Sequence, residues 1–209
     1  MSQKVIQFIG TQRSGSNLLR LMLNQHQGIS APHPPHILRT FMPFLSQYGD
    51  LKVRKNRFLL VDDVCRWVEC NPVEWSSVNF DRDEITDKTT SLLDLFEVIY
   101  QQKCATDQAK IWCCKSTFNI QYTLELEKAI QPFYIYLYRD GRDVATSFKK
   151  AYVGPKHIYQ IAQKWHREQI ETYSFLSSLA SHRYVWISYE ALIQDPEKVL
   201  HLICERIGI

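Results

Sequence analysis

What the chain lacks narrows its function first. No run of residues is long and apolar enough to span a membrane, and neither sign of charge dominates. The 25 Lys and Arg stand against 22 Asp and Glu, a net of +3 that is too small to imply a nucleic-acid partner and fits one local basic site. The six cysteines form no CxxC pair of the kind that marks zinc or redox chemistry. Cys113 and Cys114 are neighbours on an expected strand, so they point to opposite faces and do not readily share a metal. Reduced, partly buried thiols follow, and with them a cytoplasmic setting. With the first strand under way by Val5, no leader peptide is expected. Repeats and low-complexity tracts are absent, and 209 residues with an apolar fraction of 45% suit one globular domain.

One further absence is local. Residues 5–23, VIQFIGTQRSGSNLLRLML, read as an apolar strand, a small-residue loop and an amphipathic helix. Such a loop gathers free backbone N–H groups at the positive end of a helix and holds anions. The spacing from Gly10 to Gly15 is that of a P-loop. A nucleotide triphosphatase needs Lys directly after the second Gly, to reach the β- and γ-phosphates. Here that position is Ser16, and the cation sits earlier, at Arg13. The loop is suited to phosphate but not to the γ-phosphate of ATP.

The rest of the pattern alternates strands and helices. Strands are expected at 4–9, 29–31, 110–114, 133–138 and 183–188, the FYIYLY run at 133–138 being the strongest. Helices are expected at 16–26, 37–48, 58–69, 92–102, 121–130, from after Asp143 through Lys150, at 156–180 and from Asp195 onward. Residues 73–90 show no period and read as loop. Pro32-His33-Pro34-Pro35-His36 reads as a stiff extended segment. This alternation implies an α/β fold with a mostly parallel central sheet. Residues 32–105 form a largely helical insertion that would shape an acceptor pocket.

In such sheets ligands sit beyond the C-terminal strand ends. There the sequence places Arg13, Lys115, Arg139 and Arg142, cations enough for more than one phosphate group, with Asp140 and Asp143 as competing partners, above all for Arg142. Ser147 lies close enough to donate to an anion held by Arg139 if the following helix starts near Val144. No acidic residue suited to magnesium ends a buried strand. His33 and His36 are candidate general bases, since neutral imidazole suits that role near pH 7. Asp62 and Asp63 read as a solvated helix face, and the tryptophans as mostly core, with Trp75 a marginal pocket candidate.

GTQRSGSNLL resembles the 5′-phosphosulfate loop of the sulfotransferases that use 3′-phosphoadenosine 5′-phosphosulfate (PAPS). YLYRDGRDVATSF resembles their 3′-phosphate segment, and SYEALIQDPEKVL their Tyr-Glu segment followed by a helix. The pattern is nearer to bacterial and tyrosylprotein sulfotransferases than to the cytosolic phenol and steroid enzymes. The resemblance implies a P-loop NTPase-like three-layer fold and a metal-free, in-line transfer of a sulfuryl group to a hydroxyl or amine on a small molecule or peptide. It assigns Arg13, Ser14, Gly15, Ser16 and Asn17 to the 5′ end of the donor and Arg139 and Ser147 to its 3′-phosphate. Tyr189 falls near the cofactor, and Lys115 where the family has a catalytic lysine.

The base departs from the family. Cytosolic enzymes have His where this chain has Thr117, and the stretch that carries a Glu in tyrosylprotein sulfotransferases holds only His33, the nearer match, and His36. Family members also continue past the last helix with a basic segment over the cofactor, whereas the sequence stops at Ile209. If that end is natural, the cofactor is expected to be covered otherwise, bound loosely or covered by a neighbouring subunit, and if it is a truncation, activity is expected to suffer. A small-molecule P-loop kinase requiring ATP and magnesium, and a non-catalytic nucleotide-binding domain, are the rival readings.

Overall fold

The computed structural model describes residues 4–209. Strand β1 (Lys4–Ile9) is followed by helix α1 (Ser16–Leu23), β2 (Ile29–Ser30) and the short helix α2 (Ile37–Phe41), which tightens into a 3₁₀ helix over Met42–Tyr48. Then come α3 (Arg54–Glu69), α4 (Arg82–Lys88), α5 (Leu92–Thr106) and β3 (Ile111–Cys114). A 3₁₀ turn at Thr117–Tyr122 leads into α6 (Thr123–Ala129) and β4 (Phe133–Tyr138). The chain ends with α7 (Gly141–Lys150), α8 (Ile158–Ser177), β5 (Tyr184–Ser188), α9 (Tyr189–Gln194) and α10 (Pro196–Ile207).

The strands form one five-stranded sheet in the order β2-β3-β1-β4-β5. Every pairing is parallel. A parallel sheet is covered on both faces, so its strands read as continuous apolar runs. Ile6 and Phe8 of β1 pack with Leu19 and Leu23 of α1 and with Leu192, Val199 and Ile203 of α9 and α10. Val5, on the opposite face, joins Trp112, Cys114 and the apolar sides of α2, α3 and α5. Ile9, Tyr134 and Tyr136 meet Leu176 of α8. The result is the α/β three-layer architecture. Cys113 and Cys114 do part to opposite faces, one in each core cluster.

Several boundaries differ from expectation. The stretch 73–90 contains α4, capped by Asp81, whose carboxylate accepts from the Glu84 N–H at 2.9 Å. Helix α1 ends at Leu23 rather than near His26, and α3 begins at Arg54. The expected helix at 37–48 is α-helical only to Phe41. Trp67 and Trp186 are 45% and 42% exposed, against the expectation of core. No helix among the described residues is long and apolar enough to cross a membrane.

The topology sets the site. From β1 the sheet grows in both directions, with β3 on one side and β4 on the other. The loop after β1 therefore opens into the crevice at the point where strand order reverses, flanked by the ends of β3 (Lys115) and β4 (Arg139).

Candidate functional site: a basic cavity at the strand ends

The loop from Gly10 to Gly15 turns through three left-handed residues, Gly10 (φ 120°), Arg13 (φ 71°) and Gly15 (φ 91°). Gly15 is the N-cap of α1, which has no side-chain cap and no acidic residue in its first turn. Its leading N–H groups are thus available to an external anion. Glycine is required at both loop ends for a second reason. A Cβ on Gly10 would lie 2.5 Å from the Leu137 carbonyl oxygen, and one on Gly15 would lie 2.3 Å from Cδ2 of Tyr189.

The two arginines meet. Arg13 Nε donates to Ser147 Oγ at 3.0 Å, and an Arg139 Nη donates to the Arg13 carbonyl at 3.3 Å. The Arg139 guanidinium also sits 4.1 Å above the centre of the Tyr189 ring. A cavity of about 280 Å³ is lined by Arg13, Gly15, Ser16, Asn17, His36, Lys115, Arg139, Ser147 and Tyr189 among others. Ser14 is buried just behind, and its Oγ, like Nε of Arg139, is buried without a hydrogen-bond partner among the described residues. Two orphaned polar groups behind a basic cavity fit an anionic ligand, since buried polar atoms ordinarily find partners.

The structure separates residues that the sequence grouped. Arg142 does not share this cavity. Asp140 caps α7 and binds the Arg142 guanidinium at 2.6 Å. That cap starts the helix at Gly141, not near Val144. Ser147 therefore lies in the second helical turn and reaches the site by its facing rather than by a helix terminus.

The histidines also part. His36 lines the cavity with Lys115. His33 lines a neighbouring cavity of about 360 Å³ with Arg20 and Trp75, and its Nδ1 is buried without a hydrogen-bond partner among the described residues. The rings remain 6.4 Å apart. Burial, and then the Lys115 charge, push each imidazole down to about 4. The same burial, helped by the Arg20 charge, lowers Lys115 to about 8.

Three features of the surroundings escaped the sequence reading. The Pro-rich segment is held by two indoles, Trp75 Nε1 donating to the His33 carbonyl at 2.7 Å and Trp67 Nε1 to the Pro35 carbonyl at 2.6 Å. His36 is left-handed (φ 58°), a conformation uncommon outside glycine that marks strained functional positions. Gln7, buried inside β1, donates to the carbonyls of Phe8, Cys114 and Ser116 and accepts from Asn119. A lone carboxamide in an apolar strand was the available signal for the last. Asp62 pairs with Arg66 and Arg82, and Asp63 accepts from Tyr48, away from the cavity. Among the described residues no group of His, Cys, Asp and Glu is arranged to hold a metal ion.

With this geometry established, comparison with known proteins is decisive for the family. The sulfotransferase family model matches residues 6–209. The chain belongs to the sulfotransferase family. A solved sulfotransferase domain from the curacin biosynthetic pathway is similar at 23% identity and a TM-score of 0.65, covering all of this chain and 75% of that one. The sulfotransferase domain from the Synechococcus PCC 7002 olefin synthase gives 23% and 0.67, over all of this chain and 74% of its own. A sulfotransferase from Alicyclobacillus acidocaldarius gives 14% and 0.55, over all of this chain and 82% of its own. These likenesses bear on the fold. A search of curated proteins found no match. In this sulfotransferase-family chain, residues carried over from the sequence motifs, Arg13, Ser16, Asn17, Lys115, Arg139, Ser147 and Tyr189, line one cavity.

Proposed function

We propose that this chain transfers a sulfuryl group from PAPS to a hydroxyl or amine of a small-molecule or peptide acceptor. The observation that carries the reading is the meeting of Arg13 and Arg139, from the loops after β1 and β4, at a cavity that also holds Lys115 and His36. The donor, when bound, supplies an activated sulfuryl group on a nucleotide leaving group. The backbone N–H groups of residues 13–17 and the N-terminus of α1 hold the anion at its 5′ end, and the orphaned Ser14 hydroxyl supports that assignment. Arg139 and Ser147 hold the 3′-phosphate, with Tyr189 packed against Arg139 at the nucleotide.

Lys115 neutralises negative charge growing on the leaving oxygen, a preorganised electrostatic role. Sulfuryl transfer loads less charge on the moving group than phosphoryl transfer, so cations and amides are adequate partners for it. His36 takes the acceptor proton. It is preferred over His33, which the sequence match favoured, because it shares the cavity with Lys115 while His33 lines the adjoining one. Its lowered pKa keeps it neutral at pH 7, the form in which an imidazole nitrogen carries a free lone pair.

Turnover of labelled PAPS by single variants tests the reading. Lys115→Ala is expected to lower kcat by about 10²–10³-fold. His36→Ala is expected to cost about 10²-fold or more, with His33→Ala changing kcat far less. Wild-type turnover by the Lys115 variant would remove it from the mechanism, and a larger loss at His33 than at His36 would reverse the choice of base.

A further inference from the structure

A buried polar cluster beside the cavity is centred on Ser116. Its hydroxyl lies 2.8 Å from Nδ1 of His36, and the residue is 1% exposed. Its carbonyl accepts from Gln7 Nε2 at 3.2 Å and from the Asn119 N–H at 3.0 Å. Gln7 and Asn119 are themselves buried and joined at 2.9 Å. The Ser116 backbone, from which the hydroxyl projects, is therefore held by a network reaching into the central strand. The His36 ring is restrained from its other side by Phe118, edge to face at 5.1 Å. With Nδ1 engaged by Ser116, Nε2 is the ring nitrogen left to the cavity.

A base needs a bare nitrogen facing the proton it takes. Neutral imidazole has one such nitrogen, and the tautomer is decided by the partner of the other. We propose that Ser116 is a positioning residue for His36, its Oγ accepting the Nδ1–H so that Nε2 presents a lone pair to the acceptor hydroxyl. When His36 takes the acceptor proton at Nε2, the O–H bond breaks, the electron pair stays with the attacking oxygen, and the imidazolium keeps its Nδ1–H on Ser116. That hydrogen bond becomes charge-assisted and is strongest in the transition state. Its value is raised by the setting, because the groups that act on His36 from the neighbouring elements, Lys115, His33 and Arg39, are themselves basic and oppose the new charge.

The inference rests on His36 as the base, and the experiment separates the two. Nitrogen-15 shifts of histidine-labelled protein report the tautomer and titration of His36 directly, without turnover. Wild-type enzyme is expected to carry the proton on Nδ1. Ser116→Ala is expected to lose that preference, to titrate at lower pH, and to lose about tenfold in kcat, the scale of one hydrogen bond to a charged group. Its KM for PAPS and its affinity for adenosine 3′,5′-bisphosphate are expected to stay near wild type, which also shows that the variant is folded. Ser116→Thr, which keeps the hydroxyl, is expected to recover most of the rate. A wild-type proton on Nε2, or a tautomer and titration unchanged in Ser116→Ala, would overturn the positioning role. A changed tautomer with unchanged kcat would overturn the base assignment instead.

Discussion

At the scale of single residues, the proposed mechanism ties activity to two shifted ionisations. His36 is held down to about 4 chiefly by burial, and Lys115 to about 8 by the same cause. Between these values the base is neutral and the cation charged. A profile of kcat/KM against pH, which reports the free enzyme, is expected to rise through about 4 and to fall through about 8. In the Lys115→Arg variant the alkaline fall is expected to disappear, because guanidinium stays protonated. A flat profile from pH 7 to 10 in the wild type would contradict the lowered ionisation of Lys115.

Legibility was uneven at this scale. Arg13, Lys115 and Arg139 could be named from their places after strands, because the sheet itself aims those positions at one edge. The two histidines were ranked by position alone, His33 ahead of His36, whereas it is His36 that shares the cavity with Lys115. Proline fixes φ in the 32–36 segment but not the direction of each side chain, and that direction depends on Trp67, Trp75 and Ser116, all distant in sequence.

At the scale of elements, the loop between β1 and α1 is the part least able to vary. Gly15 combines a left-handed backbone with contact against the Tyr189 ring. Gly15→Ala is expected to lower stability by about 1–3 kcal/mol and to displace Tyr189 from Arg139, with at least tenfold weaker nucleotide binding. Gly28→Ala is the control, since the nearest obstacle to its Cβ is only the exposed His26 side chain. Melting temperature and calorimetry read both effects. Equal, small changes in the two variants would contradict the geometry at Gly15.

Strand β4 was legible to the residue because FYIYLY is a dense run of aromatic and β-branched side chains. Helix α4 was missed because RDEITDK has almost no apolar stripe. Its stability begins with the Asp81 cap, and the Asp-x-x-Glu spacing of Asp81 and Glu84 was the trace of it in the sequence.

At the scale of the molecule, the parallel sheet brings three distant loops together at the reversal of strand order. Alternation of strands and helices was enough to foresee this layering, because covered parallel strands leave a simple apolar signature. It was not enough to foresee the partition of the crevice. The cavity with Lys115 and the cavity with His33 have separate linings drawn from several distant segments, and packing of that kind has no local code.

The central claim is that one nucleotide is gripped at both ends by Arg13 and Arg139. Calorimetric titration with adenosine 3′,5′-bisphosphate, beside adenosine 5′-phosphate and ATP with and without magnesium, tests it most directly. The account predicts that the bisphosphate binds well ahead of the others without magnesium, and that Arg139→Ala removes its advantage over the monophosphate. Equal affinity for the mono- and bisphosphate in the wild type, or tight binding of ATP only with magnesium, would contradict it.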